Sequence, residues 1–265
     1  MNTLFWLVLI VVAIVLIYKW SKSRGPSEKL KSPPQTSQEK VEEESESTTR
    51  KWQERAVIEF DDSTKTDGKY LVVDIETTGL PVDRDAEPED LENWPHVVQI
   101  AWLLFDEEGK LIEMKAHILK QESEIPEDSI EIHGITDDIA RTSGVFPKFA
   151  YTEFTNALNR TQFLVAHNIE FEKPILECEF LRHGFDKQLL KKKTICTMKK
   201  STPFCRLPRH SGGYKYPTLE ELFQKCCYPN VDALSLAREY HRANVDVAIT
   251  AKCFFKLKEL NIIKV

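Results

Sequence analysis

The sequence predicts an α/β domain over residues 67–265, and three observations predict it. The first is the stretch Tyr70–Leu80, an apolar run with β-branched side chains at Val72, Val73 and Ile75 that reads as a buried strand. The second is a pair of apolar runs, Val97–Phe105 and Leu111–Leu119, separated by the turn Asp106-Glu107-Glu108-Gly109, which read as two further strands of an antiparallel meander. The third is a change of texture further on. Helical spacing over Phe149–Leu158 gives way to a short strand at Gln162–Ala166, and then to a helix over Ile169–His183 stopped by Gly184.

The first strand carries the chemistry. Asp74 and Glu76 stand one residue apart, so their side chains share a face of the strand. Two buried carboxylates repel, and hard oxygen donors in that position suit a divalent cation such as Mg²⁺ or Mn²⁺. Taken alone, the pattern equally fits an edge strand with two solvated acids. Thr77-Thr78-Gly79 ends the strand, with Gly79 permitting a sharp turn and a close approach of a ligand to the backbone.

Beyond the acidic loop Asp83–Glu92 and the meander, His133 lies in Ile132–Thr136, read as a loop, and Thr136 is placed to cap a following helix. His167-Asn168 closes the strand 162–166. Glu172 follows in the first helical turn, where the helix dipole favours a negative charge and where a Glu is also ordinary helix dressing. Lys191–Lys193, Lys199, Lys200, Arg206 and Arg209 make the densest basic run, interleaved with Phe204, Tyr214 and Tyr216. That mixture suits a strand of nucleic acid, and a solvated surface loop equally well. Thr218 caps a helix beginning Leu219-Glu220-Glu221-Leu222. Helices over Ala233–Tyr240 and Asn244–Leu260 flank His241 and Asp246, a pair five residues apart that can face one cleft or stand as a surface His and a helix-start Asp.

Composition sets bounds on partners and compartment. The 265 residues are 42% hydrophobic and 29% charged with a net charge of −6, which excludes a chain-wide nucleic-acid glue and leaves room for a local basic track. Six cysteines at 178, 196, 205, 226, 227 and 253 show no Cys-x-x-Cys spacing. Buried reduced thiols fit them better than a zinc site built from Cys196, Cys205, His210 and Cys226. Ahead of the domain, Leu4–Tyr18 is unbroken apolar sequence, and Met1–Trp20 holds one charge, Lys19. A helix of that length reaches about 30 Å, enough to cross a bilayer. Lys19, Lys22 and Arg24 follow the run rather than precede it, so residues 1–20 are expected to be an uncleaved transmembrane anchor with the bulk of the chain cytoplasmic. Residues 21–66, rich in Ser, Glu, Lys, Pro and Thr, are expected to be a disordered linker with a short helix near Trp52–Phe60.

The motifs together carry a resemblance. Asp74-x-Glu76 on a strand, His167-Asn168-x-x-Phe171-Glu172 after a later strand, and His241-x-Ala243-x-x-Asp246 on a closing helix occur in the order and spacing of the DEDDh 3′–5′ exonuclease family. Val98–Ala101, His133–Thr136 and Pro217–Leu222 lie between them. The resemblance implies a ribonuclease-H-like fold, a mixed five-stranded sheet with helices on both faces. It implies two divalent ions, Mg²⁺ or Mn²⁺, with Asp74 bridging both, Glu76 and Asp246 holding the first, and Glu172 serving the second. His241 would take a proton from the attacking water. Thr77, Thr78, Leu80, His133, Asn168 and Phe171 would line the pocket for the terminal nucleotide. The family's second acidic motif normally carries Asp where this chain has Glu172, which moves the carboxylate outward by about 1.5 Å.

The expected activity is therefore hydrolysis of DNA from its 3′ end, single-stranded DNA above all, releasing nucleoside monophosphates. The alternatives are an RNA or oligonucleotide 3′–5′ exonuclease, and a degenerate nuclease domain serving as a membrane-bound nucleic-acid-binding module. The expected location is a single-pass anchor in a bacterial inner membrane. No polymerase-like sequence accompanies the domain, so a polymerase or repair partner would act in trans.

Overall fold

Five strands form one sheet in the computed structural model, which describes residues 67–227 and 242–265. They are β1 (Tyr70–Thr77), β2 (Val97–Phe105), β3 (Leu111–Ile118), β4 (Phe163–Ala166) and β5 (Lys193–Cys196), in the order β3-β2-β1-β4-β5. β1, β2 and β3 pair antiparallel, β2 with β3 as the short turn at 106–109 dictates, while β1–β4 and β4–β5 are parallel. The helices are α1 (Glu127–His133), α2 (Asp137–Ser143), α3 (Pro147–Asn159), α4 (Ile169–Arg182), α5 (Thr197–Cys205), α6 (Leu219–Cys227) and α7 (Ala243–Glu259), with a 3₁₀ turn at Lys187–Leu190.

β1 is buried along both faces, and its alternation sorts them. Leu71, Val73 and Ile75 join the core with Tyr151, Phe154, Ile175, Leu176 and Phe180 of α3 and α4. Tyr70 faces the other way, 5.1 Å from the Phe254 ring of α7. Asp74 and Glu76 keep the parity of Tyr70, so the same period-2 rule that builds the strand aims both acids towards α7. The mixed sheet and the helices on both sides agree with the expected architecture.

Local differences have local causes. Ile132 and His133 are the last turn of α1 rather than loop, closed by Gly134 at φ 71°, a left-handed position natural to glycine. Thr136 caps α2 as expected, its Oγ1 accepting from Ile139 N–H. Thr218 and Glu221 form a reciprocal capping box on α6: Glu221 N–H donates to Thr218 Oγ1 and Thr218 N–H to Glu221 Oε2. β5 and α5 were not anticipated, because the Lys191–Lys193 charges hide a strand with only Ile195 and Cys196 buried.

The expected location is corrected. No helix among the described residues is long and apolar enough to cross a membrane, so membrane anchoring is not supported. The segment on which that expectation rested, residues 1–20, lies outside the described residues, as do the linker 21–66, the helix expected at 233–240 and His241. The cysteines are free, and Cys178, Cys196, Cys205, Cys226 and Cys253 are buried, in keeping with reduced thiols.

Candidate active site

Four carboxylates gather where β1 meets the first turns of α4 and α7. One oxygen from each of Asp74, Glu76 and Asp246 lies within 4.8 Å of the others. Glu172 enters from α4, placed there by the parallel β1–β4 pair and the His167-Asn168 turn, and it interacts electrostatically with Asp74, Glu76 and Asp246. Asp74, Glu172 and Asp246 are all buried, at 8%, 6% and 8% exposure.

The electrostatics mark the cluster as incomplete by itself. Burial, then Glu172, Asp246 and Glu76, hold the Asp74 carboxyl well above the usual carboxylate range. Burial and then Asp246 push Glu76 up to about 8. Burial and then Glu76 raise Glu172, against a backbone hydrogen bond at Ile75 that favours its charged form. Two unit charges about 5 Å apart repel by about 3–4 kcal/mol at an effective dielectric of about 20. A few such pairs rival the whole stability of a domain, about 5–15 kcal/mol. The acids must therefore share protons or take up cations. Glu172 Oε2 is buried without a hydrogen-bond partner, and such an oxygen is expensive unless a cation or donor meets it. An all-oxygen donor set with a buried orphan fits Mg²⁺ or Mn²⁺.

Of the other expected site residues, His241 lies outside the described ones, and the rest fall at the end of β1, on α1 and at the start of α4. Thr77 and Thr78 end β1; Thr77 Oγ1 donates to Gly79 O, while Thr78 N–H donates to His96 O and Thr78 Oγ1 accepts from His96 N–H. Gly79 has φ 152°, and a Cβ there would meet nothing within 4 Å, so the backbone is bare on that side. Leu80 is 68% exposed. His133 is buried beside the Thr77 backbone, its Nδ1 accepting from Ile135 N–H, so the proton sits on Nε2. Asn168 precedes α4 and accepts at its carbonyl from Phe171 and Glu172 N–H, while Phe171 leans on the core.

Three supports were given no role in the sequence reading. Gln99 lies opposite Glu76 on β2, and its Oε1 accepts from Ala243 N–H at 3.0 Å, capping α7 in place of Arg242, which caps nothing with its side chain. That contact holds the α7 start, and with it Asp246, over β1. Its signal was visible: Gln99 is the one polar residue in the β2 run. Glu179, two turns after Glu172, accepts from Tyr151 Oη at 2.7 Å and meets His96 Nδ1 and Arg182, whose guanidinium also donates to the carbonyls of Leu91, Trp94 and Pro95. Through His96 this network reaches Thr78. His167 joins Thr197 Oγ1 and the Pro217 carbonyl, each at 3.1 Å. Its burial pushes the ring down to about 4, so it is neutral at ordinary pH.

Known proteins place this arrangement. The exonuclease family model RNase_T matches residues 71–254. Over 194 residues the chain is 27% identical to the PolC-type DNA polymerase III of Pediococcus pentosaceus, a match that covers 72% of this chain and 12% of that polymerase. E. coli Exonuclease I, in complex with a dA16 oligonucleotide, superposes with a TM-score of 0.55 at 18% identity, over 72% of this chain and 40% of that one. Exonuclease X, in complex with 5′-overhanging duplex DNA, gives a TM-score of 0.50 at 18% identity, over 74% of this chain and 94% of its own. The chain thus spans an eighth of that polymerase and under half of Exonuclease I, and the structural likeness speaks for the fold. Taken with the matched family and the gathered acids, it leads to one conclusion: the chain belongs to the RNase_T exonuclease family, DEDDh-type 3′–5′ exonucleases of the ribonuclease-H-like superfamily.

Proposed function

We propose that the protein hydrolyses single-stranded DNA from its 3′ end, one nucleoside monophosphate at a time, with two divalent ions held by Asp74, Glu76, Glu172 and Asp246. The observation that carries this reading is the convergence of buried acids whose mutual repulsion a cation would relieve. The DNA bound by the structural neighbours supports the substrate class.

In this reading Asp74, Glu76, Glu172 and Asp246 would hold the ions between them. The ions, when bound, supply the positive charge that stabilises the attacking and leaving oxygens of the phosphodiester. The chain's own residues do the rest. Thr77, Thr78, Leu80, His133, Asn168 and Phe171 seat the terminal nucleotide. The bare backbone at Gly79 lets that nucleotide approach closely. His241 takes the proton of the attacking water, a task suited to an imidazole. Glu172 reaches further than the family's Asp, so catalytic geometry in this chain is tuned to the longer arm.

Digestion of labelled single-stranded DNA and RNA with Mg²⁺ or Mn²⁺, beside Asp74→Ala, tests the reading. Stepwise release of mononucleotides from DNA, lost in the variant, is the expected result. Tight binding without product overturns hydrolysis, and preference for RNA overturns the assigned substrate.

A further inference from the structure

The basic stretch found in the sequence is not absorbed by the site, and the fold divides it. From Lys187 to Leu219 the chain holds nine Lys and Arg and no Asp or Glu, in a protein of net charge −6. Lys193 pairs with Phe163, level with Tyr70 at the far end of β1 from the acids. The cluster 191–193 therefore lies away from the site. Past β5 the chain emerges at the site's end of the sheet. There Lys199 ion-pairs with Glu170, two residues from Glu172, and the Pro217 carbonyl meets His167, which adjoins Asn168.

Between these anchors the chain forms a tight hairpin. Pro208 and Tyr214 bridge antiparallel, Arg209 N–H donates to Gly213 O, Lys215 N–H donates to Leu207 O, and Gly212 and Gly213 turn at φ 89° and 75°. Tyr214 and Tyr216 are 48% and 51% exposed, an unusual display of aromatic surface on a hydrophilic loop. Phe204, by contrast, is half-buried with Lys225 over its ring. Lys215 is paired with Glu221, whereas Lys200, Arg206 and Arg209 are exposed and, among the described residues, carry no ion pair. The loop Asp83–Glu92 has six acids and one Arg, and its Glu89 ion-pairs with Lys187. A polyanion is drawn to the exposed, unpaired cations Lys200, Arg206 and Arg209.

We propose that the hairpin 206–216, with Lys200, is the track for the single-stranded portion of the substrate beyond the terminal nucleotide. Tyr214 and Tyr216 stack on bases, and Lys200, Arg206 and Arg209 contact phosphates. The proposal rests on the nuclease reading for its biological meaning, and its test does not depend on turnover.

The test is the affinity of the full chain for 5′-fluorescein-labelled (dT)12 and (dT)2 in EDTA, over a salt series, for wild type and variants checked for an unchanged thermal melt. Tyr214→Ala/Tyr216→Ala is expected to weaken (dT)12 binding by about 5- to 100-fold and to shrink its advantage over (dT)2. Tyr214→Phe/Tyr216→Phe keeps the rings and is expected to restore it. Lys200→Gln/Arg206→Gln/Arg209→Gln is expected to lower the salt slope of (dT)12 binding by about 2, at about 0.7 per contact on a single strand. Unchanged affinity and slope in these variants overturn the track. Failure of wild type to degrade DNA while the variants lose binding would overturn the nuclease reading alone.

Discussion

Glu172 is the residue on which this site departs from its family, and its buried, unpartnered Oε2 shows where the longer arm ends. If the second cation position has adapted to that arm, Glu172→Asp lowers kcat, by about 10- to 100-fold for a shift near 1 Å. A variant as active as wild type would mean that the position tolerates either length. Asp74→Asn removes a carboxyl whose charged form burial and three neighbours oppose. It is expected to raise the melting temperature in EDTA by several degrees while abolishing cleavage, since each repulsion relieved is of the order of 1 kcal/mol or more. A lower melting temperature would show that the acids are not in electrostatic conflict. Most of these residues were legible because acids in apolar strands and first helical turns break a pattern. The role of Gln99 was not: its polarity breaks the β2 run, but nothing local points to its partner Ala243, 144 residues away.

Single elements carry the second set of consequences. α7 begins without a side-chain cap of its own, and Gln99 supplies the acceptor. Gln99→Leu is expected to cost about 1 kcal/mol of stability and to reduce kcat more than KM, because Asp246 loses its register over β1. Equal effects on both parameters would assign Gln99 to substrate binding instead. α4 is tied to the loop behind β1 by Glu179. Burial would raise this carboxyl, but hydrogen bonds from His183, His96, Tyr151 and Arg182 outweigh it and hold the group far below the ordinary value of 4.5. A carboxyl depressed in the folded state contributes stability above its unfolded value, and that stability drains as pH falls. Wild type is expected to lose stability steeply from about pH 4.5 downward. Glu179→Gln should be less stable near pH 7 and flatter below 4.5; a parallel acid limb in both proteins would rule out Glu179 as its source. The sequence made α4 visible through its apolar stripe and Gly184. It hid β5 and α5, where lysines interrupt the hydrophobic pattern and tertiary pairing with β4 decides the strand.

For the molecule as a whole, strand parity does most of the organising. One face of β1 builds the core with α3 and α4, and the other delivers Asp74 and Glu76 to α7. The sheet and both faces of helices were readable in advance from three motifs held in order, because a fold that must bring distant acids together constrains their spacing. The amino-terminal anchor was a different kind of inference, drawn from an apolar run and the charges that follow it, and the described helices do not support it. Taken together, the geometry makes one central claim: the four acids are a cation site before they are anything else. Counting bound Mn²⁺ by the electron paramagnetic resonance of the free ion tests that claim most directly. The account predicts about two Mn²⁺ per wild-type chain and at most one in Asp74→Asn. Equal binding by the two proteins, or none by wild type, would contradict it.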